Sequence, residues 1–463
     1  MPQPPQFRLR MPIRDTQQAR RALALSIFEC IRSSNLSKEA IMYYSLVFVA
    51  NQRLLSLGPD SEARKDALKR FIRRCAILSA LPLIENFLLL YKPEPEVGGP
   101  SNNFTVNPPP TFDTITDDWD VYGFRNDDLR AIYNALGIEE DFQVKKRWFK
   151  GQPSFLATIH KLKKASISNL DLARIYGGTS QSYTYKIDYV IRKMMVFGRI
   201  LEDPAGMKVF AGDFVEFSER IRKATAREAD SFRYDFPAEF ACVGFIDGSL
   251  IQTSRPGGTT ERMFANGEPA WRHFQDAFYS GFGKKHGLKT LLVLLPNGLI
   301  SVCQPYQTIR HNDITSWNNS GIHEVMREIC VNDHGGRQFF LFGDGIFNNV
   351  STKHHLRTYY SIDEDNPNAD KKQQNAAMSR MRSSVEHSIG SIKNVFPHVS
   401  TWKNFKILDG GARKAADMFL AATLLYNCKA VLYGNQTGSK FGYNKQHMPQ
   451  SIQEYFDMLR AVE

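Results

Sequence analysis

Apolar positions follow a helical period through much of the first half of the chain and change to continuous runs after residue 236. Residues 16–92 carry three helical patterns, the longest being "SEARKDALKRFIRRCAILSALPLIENFLLLY", after a Pro/Arg arm at 1–15. The Pro-, Gly- and Asn-rich stretch around 93–112 predicts a linker. A helical, acidic stretch is expected over roughly 113–148. Between 155 and 198 the pattern predicts a short helix, a Gly177-Gly178 turn and a longer helix. Ser168 and Asp171 have capping-box spacing, and Thr179 or Ser180 caps the longer helix. Lys186, Arg192 and Lys193 lie on that helix, so a DNA-reading helix-turn-helix and a plain helical hairpin are both open.

Beyond 236 the runs read as strands. "FACVGFIDGSL" and "RQFFLFGDGIF" are continuously apolar, as in strands covered on both faces. "LKTLLVLLPNGLISVCQPY" predicts a hairpin turning at Pro296-Asn297-Gly298. Two helical patterns follow, at about 378–396 and in "ARKAADMFLAATLLYNCKAVLY". The succession indicates a mixed α/β domain.

Charge adds one thing to this picture. The 463 residues hold 59 Lys+Arg against 48 Asp+Glu, a formal charge of +11 spread over several regions, which suits a polyanionic partner such as nucleic acid. Cys30, Cys75, Cys242, Cys303, Cys330 and Cys428 stand singly, without CxxC spacing, which argues against a zinc site and for buried thiols in a reducing compartment. No signal-peptide pattern opens the chain, and the expectation is a soluble intracellular protein with no membrane partner.

The candidate chemistry is carboxylate. Both "FIDG" and "FGDG" bring an apolar run to an Asp-Gly, so Asp247 and Asp344 are expected at or near strand carboxyl ends, where α/β sheets place ligands. Gly248, Gly343 and Gly345 would leave room for a phosphodiester; a simple Asp-Gly turn is the alternative. In "RSSVEHSIGSIK", Glu386 could be a solvated partner of Arg382 or a metal-facing carboxylate. Met378, Met381, Val385, Ile389, Ile392 and Phe396 form one apolar stripe, and Ser379, Arg382, Glu386, Gly390 and Lys393 form its neighbour. Glu386 therefore sits on the rim of a buried face. Three carboxylates with open phosphate access suit a two-magnesium phosphoryl-transfer site.

Taken in order, "FIDGSLIQTSRPGG", "QDAFYSGFGKKHGLKTLLVLLPNGLI", "IRHNDITSW", "FLFGDGIF" and "NAAMSRMRSSVEHSIGSIKNVFP" resemble the PIF/Harbinger-type DDE transposases over about 240–430. The resemblance implies an α/β, RNase H-like catalytic domain (a mixed sheet flanked by helices) preceded by largely α-helical N-terminal domains including a helix-turn-helix. Its boundaries would be 1–92 for oligomerisation or DNA contact, 93–112 for a linker, 113–235 for DNA binding with the helix-turn-helix at 155–198, 236–435 for catalysis and 436–463 for a C-terminal tail. Asp247, Asp344 and Glu386 would hold two Mg2+ ions, with Mn2+ able to substitute, for hydrolysis at transposon ends and strand transfer into target DNA. The other implied properties are nuclear location, a homo-oligomer of at least two chains and a Myb-like DNA-binding partner protein. A domesticated non-cleaving descendant and a plain nuclease are the alternatives. Lys284, Lys285, His311, Arg382 and Lys393 are candidates for DNA contact, and Asp313 and Gly390 for support. Two features depart from the family: the interval from Asp247 to Asp344 is 97 residues, lengthened mostly by stretches at 259–274 and near 330, and Ile309 stands where Gly is usual.

Overall fold

A computed structural model describes residues 103–104, 108–228, 240–255, 275–281, 283–309, 312–332, 336–349, 355–359, 369–407 and 411–461. They belong to one compact unit, Glu94–Glu463. The helices expected within 16–92 and the inserted stretch at 259–274 lie outside the described residues, as does His311.

Strand β1 (Asn103–Phe104) falls inside the expected linker and pairs with a later strand. Only part of the stretch expected to be helical over 113–148 is so, as α1 (Asn126–Ala135). From Asp141 the chain forms a hairpin instead, β2 (Asp141–Val144) and β3 (Arg147–Lys150), joined by Lys145 and Lys146 at φ 49° and 63°. Phe142 and Phe149 face each other across this pair, 5.6 Å between centroids, and their contact fixes the register.

Three helices follow: α2 (Gly151–Lys163), α3 (Asn169–Tyr176) and, after β4 (Gly178–Thr179), α4 (Ser180–Glu202). The expected caps are present. Ser168 and Asp171 satisfy each other's backbone N–H at the start of α3. Gly177 and Gly178 turn the chain with φ 79° and 92°, and Thr179 Oγ1 accepts from Ser182 N at 3.2 Å. A 3-10 stretch (Pro204–Asp213) leads into α5 (Phe214–Glu228).

The sheet is built from β5 (Phe240–Gln252), β6 (Tyr279–Ser280), β7 (Lys285–Leu294), β8 (Ile300–Thr308), β9 (Gln338–Phe342) and β10 (Leu356–Arg357). Its order is β10-β9-β5-β7-β6, with β8 also on β7. β5, β7 and β8 pair antiparallel, while β9 runs parallel to β5 and β10 parallel to β9. The turn between β7 and β8 is the expected one, with Gly298 at φ 83° and Asn297 Oδ1 accepting from Leu299 N at 3.0 Å. Helices α6 (Asp313–Asn319) and α7 (Ile322–Asn332) bridge β8 to β9. The long α8 (Ala369–Val395) and α9 (Gly411–Tyr433) complete the layers. Helices α5 and α8 pack on β5, and α4 and α9 on β8, so these helices and the sheet share one apolar core.

Helix α9 is long and apolar enough to cross a membrane, but 83% of its apolar window is buried in protein. An all-round apolar helix of this kind is a core helix. Its one buried amide, Asn427, accepts from Ile300 N and donates to Ile300 O, both at 2.9 Å, and so pins the start of β8. Residues 436–463, expected as a tail, hold α10 (Gln436–Lys440) and α11 (Ile452–Arg460). Tyr455, Phe456 and Leu459 of α11 are fully buried, and Tyr455 receives a 2.8 Å hydrogen bond from Asn427. This amphipathic helix closes the core, which a polar tail would leave open.

Candidate active site

Asp247 sits in the middle of β5, not at its end. Its neighbour β9 stops at Phe342, opposite Phe245, while β7 accompanies β5 to Gln252. Asp247 and Asp344 each lie two residues beyond that last parallel pair, Phe245 and Phe342. Asp344 itself lies beyond the end of β9, just before the 3-10 stretch Gly345–Asn349. Both make the same local contact: Asp247 Oδ1 accepts from Gly248 N at 2.9 Å and Asp344 Oδ1 from Gly345 N at 2.6 Å.

The third carboxylate comes from α8. All six residues of the expected apolar stripe are buried, and the stripe fixes the helix rotation. Glu386 lies on the rim, its side chain 51% exposed, with its Oε1 2.5 Å from Arg382 Nη2. Arg382 Nη1 also approaches Asp247 Oδ2 at 3.7 Å, and its Nε donates to the Tyr359 hydroxyl at 3.0 Å. Arg382 is thus an ion-pair partner to two of the three carboxylates at once. Burial pushes the Asp247 carboxyl up to about 6 despite Arg382 and the Gly248 N–H, and the charges of Glu386 and Asp313 add to the rise.

Asp313, at the start of α6, reaches the same place. Its Oδ1 pairs with Lys289 Nζ at 2.7 Å, and a Cβ on Gly248 would stand 2.2 Å from that oxygen. Gly248 therefore admits Asp313 rather than a substrate. A Cβ on Gly343 would meet the Phe347 ring at 2.8 Å, so this glycine too makes room for protein. Gly390 differs: nothing lies within 4 Å of the space a side chain would occupy there, as the open rim beside Glu386 requires.

The basic candidates separate clearly. Lys393 turns inward, donating to Ser249 Oγ at 2.8 Å and Leu250 O at 3.0 Å, so it ties α8 to β5. Burial lowers its pKa. Lys186 is also buried, over the Tyr183 ring at 4.1 Å, with its pKa lowered to about 8 by desolvation. An ammonium so enclosed is unavailable to phosphate. Lys193 is held by Gly137 O and Glu139. Arg192, Lys284 and Lys285 are exposed, Lys284 at φ 49°.

Sequence reasoning missed Lys289, Tyr359 and Ser249. Lys289 and Ser249 stand inside the quoted motifs, but each, like Tyr359, touches a site residue on another element, which local pattern does not show. Of the cysteines, Cys242, Cys303, Cys330 and Cys428 are buried thiols, as expected.

Among the described residues no three Asp, Glu, His or Cys side chains converge closely enough to hold a metal ion. The donor chemistry nonetheless suits a hard divalent cation. Asp247, Asp344 and Glu386 offer only carboxylate oxygens, and the Asp247–Glu386 pair already accommodates a guanidinium cation.

Comparison with curated proteins and with solved structures returned no match. Residues 246–427 match the family model described as DDE superfamily endonuclease. That segment begins one residue before Asp247 and includes Asp344 and Glu386, and the match supports this superfamily, with a nuclease-type function, for residues 246–427.

Proposed function

We propose that the protein is a DDE-type DNA transposase of the PIF/Harbinger kind, cutting phosphodiesters at transposon ends and joining the freed 3′-hydroxyls to target DNA. The observation that carries this reading is that Asp247 and Asp344 each follow, by two residues, the last pair of the parallel strands β5 and β9, within the segment that matches the endonuclease family. Glu386 on the rim of α8 is the third member of the set.

Two Mg2+ ions, or Mn2+, held by Asp247, Asp344 and Glu386 would supply Lewis-acid activation of the attacking oxygen and charge stabilisation of the leaving oxygen. The chain's own groups prepare the site. Arg382 holds the Asp247–Glu386 pair in place and must yield Glu386 to an incoming cation. Lys289 pairs with Asp313 and holds it beside Gly248. Asp247 keeps its proton up to about pH 6, so cation binding below that pH displaces a proton and activity falls there. Since transposition pairs two DNA ends, the working form on this reading is a nuclear oligomer of at least two chains, acting with or without a Myb-like partner.

The test is to incubate the protein with Mg2+ or Mn2+ and labelled duplex carrying the inverted repeats that flank the coding sequence. Strand cleavage followed by joining is expected, with Asp344→Ala lowering cleavage at least about 1,000-fold, as for loss of an essential catalytic group. A wild-type protein that never cleaves would sink the enzyme reading. Undiminished cleavage by Asp344→Ala would sink the assigned site, and cleavage without joining would make it a plain nuclease.

A further inference from the structure

We propose that the β2–β3 hairpin is a basic β-ribbon that grips the phosphate backbone of double-stranded DNA beside the exposed face of α4. The inference rests on the DNA-acting reading above and adds a contact surface to it.

The ribbon is firmly based. Phe142 stacks flat on the Tyr189 ring of α4, with centroids 3.6 Å apart and planes 3° from parallel. Its charges are sorted along its length. At the base, Asp141 is paired with Lys150 at 2.8 Å and Glu139 with Lys193 at 3.2 Å. At the tip, Lys145, Lys146 and Arg147 are exposed and, among the described residues, none has a carboxylate partner. Lys145 lies 4.8 Å from the Tyr185 ring centroid, on the side of the ribbon towards α4.

The turn itself is unusual. A two-residue hairpin with positive φ at both central positions normally takes Asn and Gly. Here both are lysines, at φ 49° and 63°, and side chains other than glycine or asparagine pay a steric cost there. Such strain is kept where the side chains have a use. Trp148, 67% exposed, adds a flat aromatic face beside the three cations. Between ribbon and helix runs an open groove of about 460 Å³, lined by Gln143, Val144, Lys145, Tyr189, Arg192 and Lys193. Arg192 lies exposed on the same helix. A cationic strip that, among the described residues, has no carboxylate partner suits a repeating line of phosphates, and it carries no group set up to read one base.

The full-length protein is titrated with a short labelled duplex of arbitrary sequence, in chelator to prevent cleavage, at salt from about 50 to 200 mM. The variant K145Q/K146Q/R147Q is compared with wild type and with Lys150→Gln, whose cation belongs to the base of the ribbon. Each neutralised phosphate contributes about 0.9 to the slope of log affinity against log salt, so the triple variant is expected to flatten that slope by about 2–3 and to bind at least 10-fold more weakly at the lowest salt. Lys150→Gln should keep the wild-type slope. Equal slopes for wild type and triple variant overturn the proposal, and so does a wild type that does not bind duplex. Circular dichroism and unfolding midpoint verify that the triple variant is folded; should it be unfolded, Arg147→Gln alone must flatten the slope by about one, or the proposal falls. Binding without cleavage when metal is restored would sink the transposase reading and leave the ribbon standing. Cleavage with an unaltered slope would do the reverse.

Discussion

Two sets of cations in this molecule have the same formal charge and opposite fates. On the carboxylate face, Arg382, Lys393 and Lys289 each end on an acceptor inside the protein. At the hairpin tip, Lys145, Lys146 and Arg147 are exposed and, among the described residues, meet no carboxylate; Lys145 reaches only the neutral Tyr185 hydroxyl, at 3.4 Å. A basic residue near a proposed DNA-cutting site is therefore not by that fact a DNA contact. What decides is whether the fold has already supplied its partner.

The largest effect that would break this contrast is at Lys393. Replacing it with Met removes two hydrogen bonds from a charged donor and orphans the Leu250 carbonyl, so urea unfolding should show a loss of about 2–4 kcal/mol. An unchanged unfolding midpoint would return Lys393 to the list of free surface cations. Arg382→Ala comes next and depends on pH. Asp247 has a folded pKa of about 6 against about 3.9 unfolded, so its contribution to stability falls as pH rises from 4 to 6 and then levels. Without Arg382 the folded value climbs and the decline extends above pH 6. At pH 5 the carboxyl is protonated in either protein. In metal-free buffer the variant should therefore lose about 1–2 kcal/mol more at pH 8 than at pH 5. Equal losses at both pH values would show that Arg382 acts only through Tyr359 and Glu386. The smallest effect is at the tip, where K145Q/K146Q/R147Q should alter stability by no more than about 0.5 kcal/mol. A larger change would mean that these cations, too, have a structural partner.

The legible parts of the fold were those written in local pattern. The runs ending in Asp247 and Asp344, the Pro-Asn-Gly turn, the caps at Ser168 and Thr179 and the buried stripe of α8 all depend on neighbours within a few residues. The hairpin at 141–150 escaped because Lys-Lys lacks the Gly or Asn that signals such a turn. Asp247 was expected at a strand end because Asp-Gly reads as a turn. The antiparallel partner β7 instead carries β5 on to Gln252, a pairing across some forty residues that local pattern cannot show. Gly248 was legible as a need for space, but not what fills it, since Asp313 arrives from a different helix. Lys393 and Lys186 fell on helices as expected, yet which way they turned was settled by acceptors and rings on other elements.

Helix α4 seats the ribbon on the core of the molecule. The stack at Tyr189 falls near its middle, while Met194, Phe197 and Leu201 further along are sealed into the core, where the helix packs on α9 and β8. On the proposed reading the grip is braced rather than tethered: a load taken by the ribbon passes through an aromatic stack into a buried rod, and DNA held there cannot swing independently of the core.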